Sequence, residues 1–399
     1  MRPVLVTALA LAAVASIAGD AHAIPAWARK YNMNCSGCHY PAVPRLNFQG
    51  LQFKWAGYRM PDEIGEKQEI TKIEEYLAAR TAVQYNYART QRAPATANSI
   101  SVPSASVFVA GPLGKFYGGF LEFERGEDGG VELIVQVLRI WGNKDNWGGV
   151  HVGQGHLLAS GAVAGFDRAV GINDPLPLSS PTTAAVPFMF MNDQAGAEAF
   201  YVFRGRDRLA VQLINGTAAA MPDGEEAEPT RKYDWGISNQ LMWDDAGSGL
   251  YTAAYYGTIA GLDPESPDGN SHYYRLAASA NKIFRNVELL GGYVYSKDLD
   301  LPVTATSPFA SSTARGTGYW VSGQYVFPKT SLTVFTRYES LDPSNSGDDD
   351  AIRRIVAGSV LPVNLPEYFR LGLEYFRDMP QLGSAPRTQG ITAEVMLAF

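Results

Sequence analysis

From about Tyr76 to Phe399 the chain repeats one pattern, apolar and polar positions alternating with a period of two. Val287, Leu289, Gly291, Tyr293 and Tyr295 are interleaved with Glu288, Gly292 and Ser296. Leu332, Val334, Thr336 and Tyr338 are interleaved with Thr333, Arg337 and Glu339, and Phe369, Leu371, Leu373 and Tyr375 with Arg370, Gly372 and Glu374. Ile391, Ala393, Val395 and Leu397 alternate with Thr392 and Glu394. Each such segment predicts a strand with one apolar and one polar face, as in a transmembrane barrel. The spans begin near 76, 102, 115, 131, 147, 198, 208, 232, 249, 271, 286, 316, 331, 351, 367 and 388. That is about sixteen, an even number as bacterial barrels require.

The connections alternate in length. Gly111-Pro112-Leu113-Gly114, Gly205-Arg206-Asp207, Arg285-Asn286 and Pro328-Lys329-Thr330 are short, whereas 158–197, 218–231, 261–270, 298–315, 341–350 and 378–387 are long. Short periplasmic turns and long outer loops give a barrel this rhythm, which a soluble β-sandwich has no reason to keep. The expected fold is therefore all-β, a transmembrane antiparallel barrel. Arg337, Glu339, Arg370, Glu374 and Glu394 should face a lumen too wide for side chains alone to fill. The Pro-rich, apolar stretch 158–197 (Pro175, Pro177, Pro181, Pro187, Phe188, Phe190) can fold inward to narrow it or lie over the rim.

The first residues predict export. Arg2, the apolar run Val4–Ile17 and the small-x-small site Ala21-His22-Ala23 make 1–23 a signal peptide, too short for the roughly 20 residues of a membrane span. With 46% hydrophobic residues, 40 Gly, 21 Tyr and a net charge of -7, composition suits a barrel. The acidic balance speaks against a nucleic-acid partner.

Residues 24–75 break the alternation and hold the most specific chemistry, Cys35-Ser36-Gly37-Cys38-His39. Two thiols and an adjacent imidazole at this spacing suit thioether attachment of one haem c, with His39 on the iron. Structural zinc wants four ligands, and these are the only two cysteines. A thioredoxin-like pair needs an α/β setting, which is missing; a plain disulfide is the remaining alternative. For the sixth iron position Met60 leads, since His/Met ligation is common in c-type cytochromes. Met33 sits too near Cys35 to reach the opposite face, and His151, His156 and His272 are further candidates if the haem lies inside the barrel.

The segment's formal charges up to Met60 are all basic (Arg29, Lys30, Arg45, Lys54, Arg59), candidates for haem propionates or a solvated face. Trp27, Phe48, Phe53, Trp55 and Tyr58 are candidates to pack on the porphyrin or to form a small core. Asp62–Glu75 reads as a short acidic linking helix. So few residues bury a haem poorly alone, which predicts a lumen plug sheltered by the barrel. Acidic stretches in the outer loops (Glu225, Glu226, Glu228; Asp263, Glu265, Asp268; Asp348 to Asp350) either concentrate a divalent cation such as ferrous iron or keep the loops solvated.

Pro25-Ala26-Trp27-Ala28-Arg29 leading into the Cys/His motif, then Pro44-Arg45-Leu46-Asn47, Gly50, Phe53 and Gly57-Tyr58-Arg59-Met60, followed by the strand array, resembles the fused monohaem cytochrome–porins of the outer membrane, the iron-oxidase type of iron-oxidising bacteria. The motif part covers about 24–61. The resemblance implies haem attachment at Cys35 and Cys38, ligation by His39, and Met60 where the motif ends. It also implies a haem segment that plugs the pore and electrons passing from extracellular ferrous iron to a periplasmic c-type cytochrome or other carrier. Outward flow to external acceptors, or a transport porin with a haem plug, are the alternatives. The expected organisation is 1–23 signal peptide, 24–75 haem segment and linker, 76–399 barrel.

Overall fold

The computed structural model describes residues 26–91, 96–126, 129–155, 170–183, 186, 188–191, 194–215, 233–260, 270–301, 312–343, 351–364, 368–380 and 386–398. The expected signal peptide 1–23, His156, Pro187, the acidic loop residues and Phe399 lie outside them. Among the described residues no helix is long and apolar enough to cross a membrane; the crossing is made by strands.

Seventeen strand segments form one closed antiparallel sheet. They are β1 (Leu77–Thr90), β2 (Thr96–Ser101), β3 (Ser104–Leu113), β4 (Tyr117–Gly126), β5 (Val131–Gly142) and β6 (Trp147–Gly155). Then come β7 (Gln194–Phe203), β8 (Asp207–Asn215), β9 (Tyr233–Met242), β10 (Gly249–Ala260), β11 (Asn270–Phe284) and β12 (Val287–Leu299). The last are β13 (Thr313–Val326), β14 (Thr333–Asp342), β15 (Ile352–Asn364), β16 (Tyr368–Pro380) and β17 (Thr388–Ala398). β2 and β3 occupy one position in the wall. β1 pairs Gln84 with Ser101 of β2 but Thr81 with Ala105 of β3, a one-residue slip across Val102-Pro103 where proline has no N–H for the ladder. The wall is thus sixteen strands round, sealed by β1 against β17 from Arg80↔Ala398 to Thr90↔Thr388.

The alternation maps onto inside and outside as expected. Val135, Val137, Val211, Leu289, Val321 and Leu373 are exposed on the outer surface, an apolar belt that suits lipid and not water. Phe116, Trp141, Phe203, Trp243, Phe284 and Phe327 are exposed beside six successive short turns and form an aromatic girdle at that end. Arg337, Glu339, Arg370, Glu374 and Glu394 are buried in the lumen, joined as Arg337–Glu339 and Arg370–Glu394; Arg208–Glu198 and Arg275–Asp298 are similar pairs.

Among the described residues two pieces of chain lie in the lumen. One comprises residues 170–183, 186 and 188–191, which fold inward. Its short helix α3 (Leu176–Ser179) lies against β12, β13 and β14. Glu374 accepts from Ile172 N at 2.8 Å and Asn173 Nδ2 at 2.8 Å, Glu339 accepts from Leu176 N at 2.9 Å, and Arg337 donates to Asn173 O at 2.9 Å. Phe188 and Phe190 pack into a buried cluster with Tyr255, Tyr273 and Trp320. The loop passes so close to β13 that a Cβ on Gly316 would stand 1.6 Å from the Thr182 carbonyl oxygen.

The other piece is the N-terminal segment. Helix α1 (Ala26–Tyr31) is followed by a 3₁₀ turn, Cys35–Gly37, and helix α2 (Phe48–Trp55). The acidic linking helix is not formed. Only 3₁₀ turns at Pro61–Glu63 and Ile73–Glu75 appear, with Gln68 bridging to Gly114 between them. Backbone pairing with the barrel's first short turn takes the hydrogen bonds a helix would have made internally.

Candidate functional site

The segment sits at the short-turn end of the lumen. Trp27 Nε1 donates to Ala110 O (3.2 Å), Gln52 Nε2 to Gly205 O (2.9 Å), and Trp147 Nε1 to Trp55 O (3.3 Å). Arg45 Nη1 donates to Glu288 Oε2 at 2.8 Å in a pair buried on both sides. Leu51, Phe53, Trp55 and Tyr58 join Leu138, Ile140, Trp147 and Phe200 of the wall in one apolar cluster. Burial of that surface holds the segment in place.

The Cys/His motif is shaped by its neighbours in sequence. Cys38 N and His39 N both donate to Cys35 O (3.1 and 2.9 Å). Asn47 caps α2 by accepting from Gly50 N at 2.9 Å, and its Nδ2 donates to Ser36 O (3.1 Å) and Gly37 O (3.0 Å). One side chain thus starts the helix and fixes the motif loop. Gly50 lets the two approach, since a Cβ there would lie 2.2 Å from the Cys38 carbonyl oxygen.

Cys35, Cys38, His39 and Met60 line one cavity of about 520 Å³, within the roughly 300–1,000 Å³ usual for small-molecule and cofactor sites. Trp27, Phe53 and Tyr58 line it too, and the barrel completes it with Phe108 and Phe120 from β3 and β4. Tyr58 stacks between Trp27 and Phe120, with centroids 5.6 Å apart on each side. The wall is largely aromatic and apolar, as a flat macrocycle requires.

The donor set fits haem c. The two cysteines are not joined to each other. Burial raises the Cys35 thiol, and burial with the neighbouring Cys35 pushes Cys38 up to about 11, so both are neutral thiols near neutral pH. His39 Nδ1 lies 3.1 Å from Arg45 O. Donation from Nδ1 puts the imidazole lone pair on Nε2, the tautomer that a metal-binding histidine uses with its other nitrogen anchored. When bound, a haem would supply one-electron chemistry; Cys35 and Cys38 would hold it covalently, with His39 and Met60 as candidate iron ligands. Met33 packs against Cys38, its Sδ 3.9 Å from Sγ. Met60 also borders a second, open cleft at the short-turn face, shared with Phe48, Asp62 and Asp245.

Several expectations are corrected. Arg29, Arg45 and Arg59 do not face the cavity. Arg29 binds the Glu74 and Leu77 carbonyls, Arg45 pairs with Glu288, and Arg59 binds the Lys115 and Tyr117 carbonyls. Of the five basic residues only Lys54 lines it, joined by Arg80 from β1, which the sequence reading missed. Phe48 lies under the Arg206 guanidinium and Trp55 in the wall contact, so neither packs on the cavity. His151 sits beside Glu198 at 3.8 Å, and His272 bonds Tyr256 at 2.8 Å; neither borders the cavity.

No family model and no curated protein matches the chain. Solved structures with the same fold include a porin and other outer-membrane proteins. OmpF of Salmonella typhi, solved in complex with daunomycin, is 12% identical with a TM-score of 0.56, over 81% of this chain and 97% of that one. The anion-selective porin from Comamonas acidovorans is 11% identical with a TM-score of 0.57, over 81% and 98%. The outer membrane channel DcaP of Acinetobacter baumannii is 11% identical with a TM-score of 0.56, over 81% and 96%. At this identity the likeness establishes the fold. The chain is a porin-like sixteen-stranded β-barrel, and such a barrel belongs in the bacterial outer membrane.

Proposed function

We propose that this barrel shelters a single haem c, bound through Cys35 and Cys38 with His39 as axial ligand and Met60 as the sixth, and that it passes electrons across the outer membrane. The observation that carries the reading is the meeting of these four side chains on one cavity whose far wall belongs to the barrel. A barrel band is about 25 Å tall, too far for one haem to cover alone, so a periplasmic c-type cytochrome or other carrier is implied. The cleft bordered by Met60 at the short-turn face is where such a carrier would approach. Ferrous iron as the outer donor rests on the resemblance of the N-terminal motif. Adding ferrous iron to the oxidised outer-membrane protein should produce the reduced haem spectrum; an unchanged spectrum removes this donor.

The second reading is a transport channel with a haem plug, which the porin fold favours. The two inserts that fill the lumen speak for a narrow path or none. Planar-bilayer recording separates the readings: a large steady conductance of the haem-loaded protein would select the channel.

A further inference from the structure

The charged groups of this lumen are paired tightly almost everywhere. Arg208–Glu198, Arg337–Glu339, Arg370–Glu394 and Arg45–Glu288 are in direct hydrogen-bond contact, and Arg275–Asp298 stand at 2.6 Å. The contact of Glu122, on the wall of the cavity, is longer. Arg80 stands 3.7 Å from Glu122 and 3.9 Å from Glu124, so one guanidinium serves two carboxylates at loose range. Arg80 also reaches Ser106 Oγ at 3.3 Å and lies over the Phe108 ring. Glu122 is 7% exposed, and its Oε1 accepts no hydrogen bond. Directly across the ladder from Glu124 stands Glu132, also on the cavity wall.

The charged side chains facing the cavity are therefore Lys54 from α2, Arg80 from β1, Glu122 and Glu124 from β4, and Glu132 from β5. Three carboxylates oppose two cations. The other titratable groups there, Tyr31, Tyr58 and Tyr76 with the cysteines and His39, add no negative charge near neutral pH.

We infer that Glu122 is the proton-accepting group coupled to electron uptake in this cavity. The inference rests on the reading that a haem c occupies it. An electron arriving from a one-electron donor adds one negative charge to a poorly solvated space that is already acidic. Glu122 then binds one proton from solvent, its carboxylate becoming a carboxylic acid, and releases it when the electron leaves. Charge balance is kept on both steps, with one electron and one proton entering together. The reason is electrostatic: an uncompensated charge is far more costly in a low-dielectric interior than in water. Arg80 is the positioning residue that keeps Glu122 ionised in the oxidised protein.

Spectroscopic redox titration of the full-length, haem-loaded protein across roughly pH 5 to 8 tests this. Wild type should show a reduction equilibrium that weakens towards tenfold per pH unit as pH rises, about 59 mV per unit for a one-electron couple. Glu122→Gln should flatten that dependence, and Glu122→Asp should retain it. A pH-independent wild type, or an unaltered slope in Glu122→Gln, overturns the assignment. Should Glu122→Gln fail to fold, the reduced-minus-oxidised infrared difference spectrum of wild type decides. A protonated-carboxyl band that shifts when glutamate is carbon-13 labelled and persists in Glu124→Gln and in Glu132→Gln supports Glu122; no band, one that does not shift, or one lost in either variant, overturns it. A protein with no covalent haem by the pyridine haemochrome assay removes the underlying reading, whereas an attached haem with a flat slope removes only the coupling.

Discussion

The two lumen inserts fill similar space and are held by different physics. The N-terminal segment is seated largely by area: Leu51, Phe53, Trp55 and Tyr58 bury against Leu138, Ile140 and Phe200, while the Arg45–Glu288 pair and arginine-to-carbonyl bonds from Arg59 and Arg370 add to it. The inward loop is gripped by charged groups near one end and packed by aromatics near the other, with Arg275 on Thr183 between them. Glu374, Glu339 and Arg337 grip its backbone around residues 172–176, while Phe188 and Phe190 pack beyond. Apolar docking is non-directional and tolerates a cavity beside it; carboxylate-to-backbone bonds fix a path residue by residue. The piece that borders the cavity relies mainly on the first, and the piece that keeps its own course on the second.

Three substitutions probe that contrast. Arg45→Ala should act most strongly, because it removes a buried ion pair between segment and wall and leaves Glu288 without its cation; breaking such a pair costs about 3–5 kcal/mol. Limited proteolysis within 26–75 should accelerate while the heat-shifted mobility of the barrel is kept. Unchanged proteolysis would mean that apolar area alone seats the segment. Glu374→Ala should cost about 1–3 kcal/mol by stranding the N–H groups of Ile172 and Asn173. It should free the loop but not the segment, read as a rise in conductance noise with unchanged proteolysis of 26–75. Thr182→Val should have the smallest effect, about 1 kcal/mol, from the lost hydrogen bond to Ser296. A thermal shift matching that of Glu374→Ala would show the loop is held along its whole length and not at its charged anchors.

What could be read from the chain beforehand followed locality. Period two, the rhythm of turns and the lumen-facing set from Arg337 to Glu394 depend on neighbours in sequence, and all appear in the barrel as expected. The inward course of the loop was foreshadowed by Pro175, Pro177, Phe188 and Phe190, which are buried. The Cys/His motif carried its own chemistry, and Asn47 and Gly50 now have structural reasons for their place in it. The far wall of the cavity was hidden. Arg80, Phe108, Phe120 and Glu122 look like ordinary lumen positions until closure of the barrel sets them against the segment. The basic residues misled for the same reason, since Arg45 and Arg59 find partners hundreds or tens of residues away. Ile134, Leu138 and Ile140 blurred the alternation of β5 because that inward face meets protein and not water. One signal was overlooked: an aromatic beside each short turn, from Phe116 to Phe327, outlines the membrane girdle in the sequence itself.

The wall of the pocket includes Ala398 at the end of the last strand as well as Arg80 near the start of the first. The chamber is therefore completed only when β17 zips to β1. On the proposed reading, a haem to be bonded to Cys35 and Cys38 would meet an open site before that moment and a finished shell after it. Closure of the seam would then set a deadline for attachment.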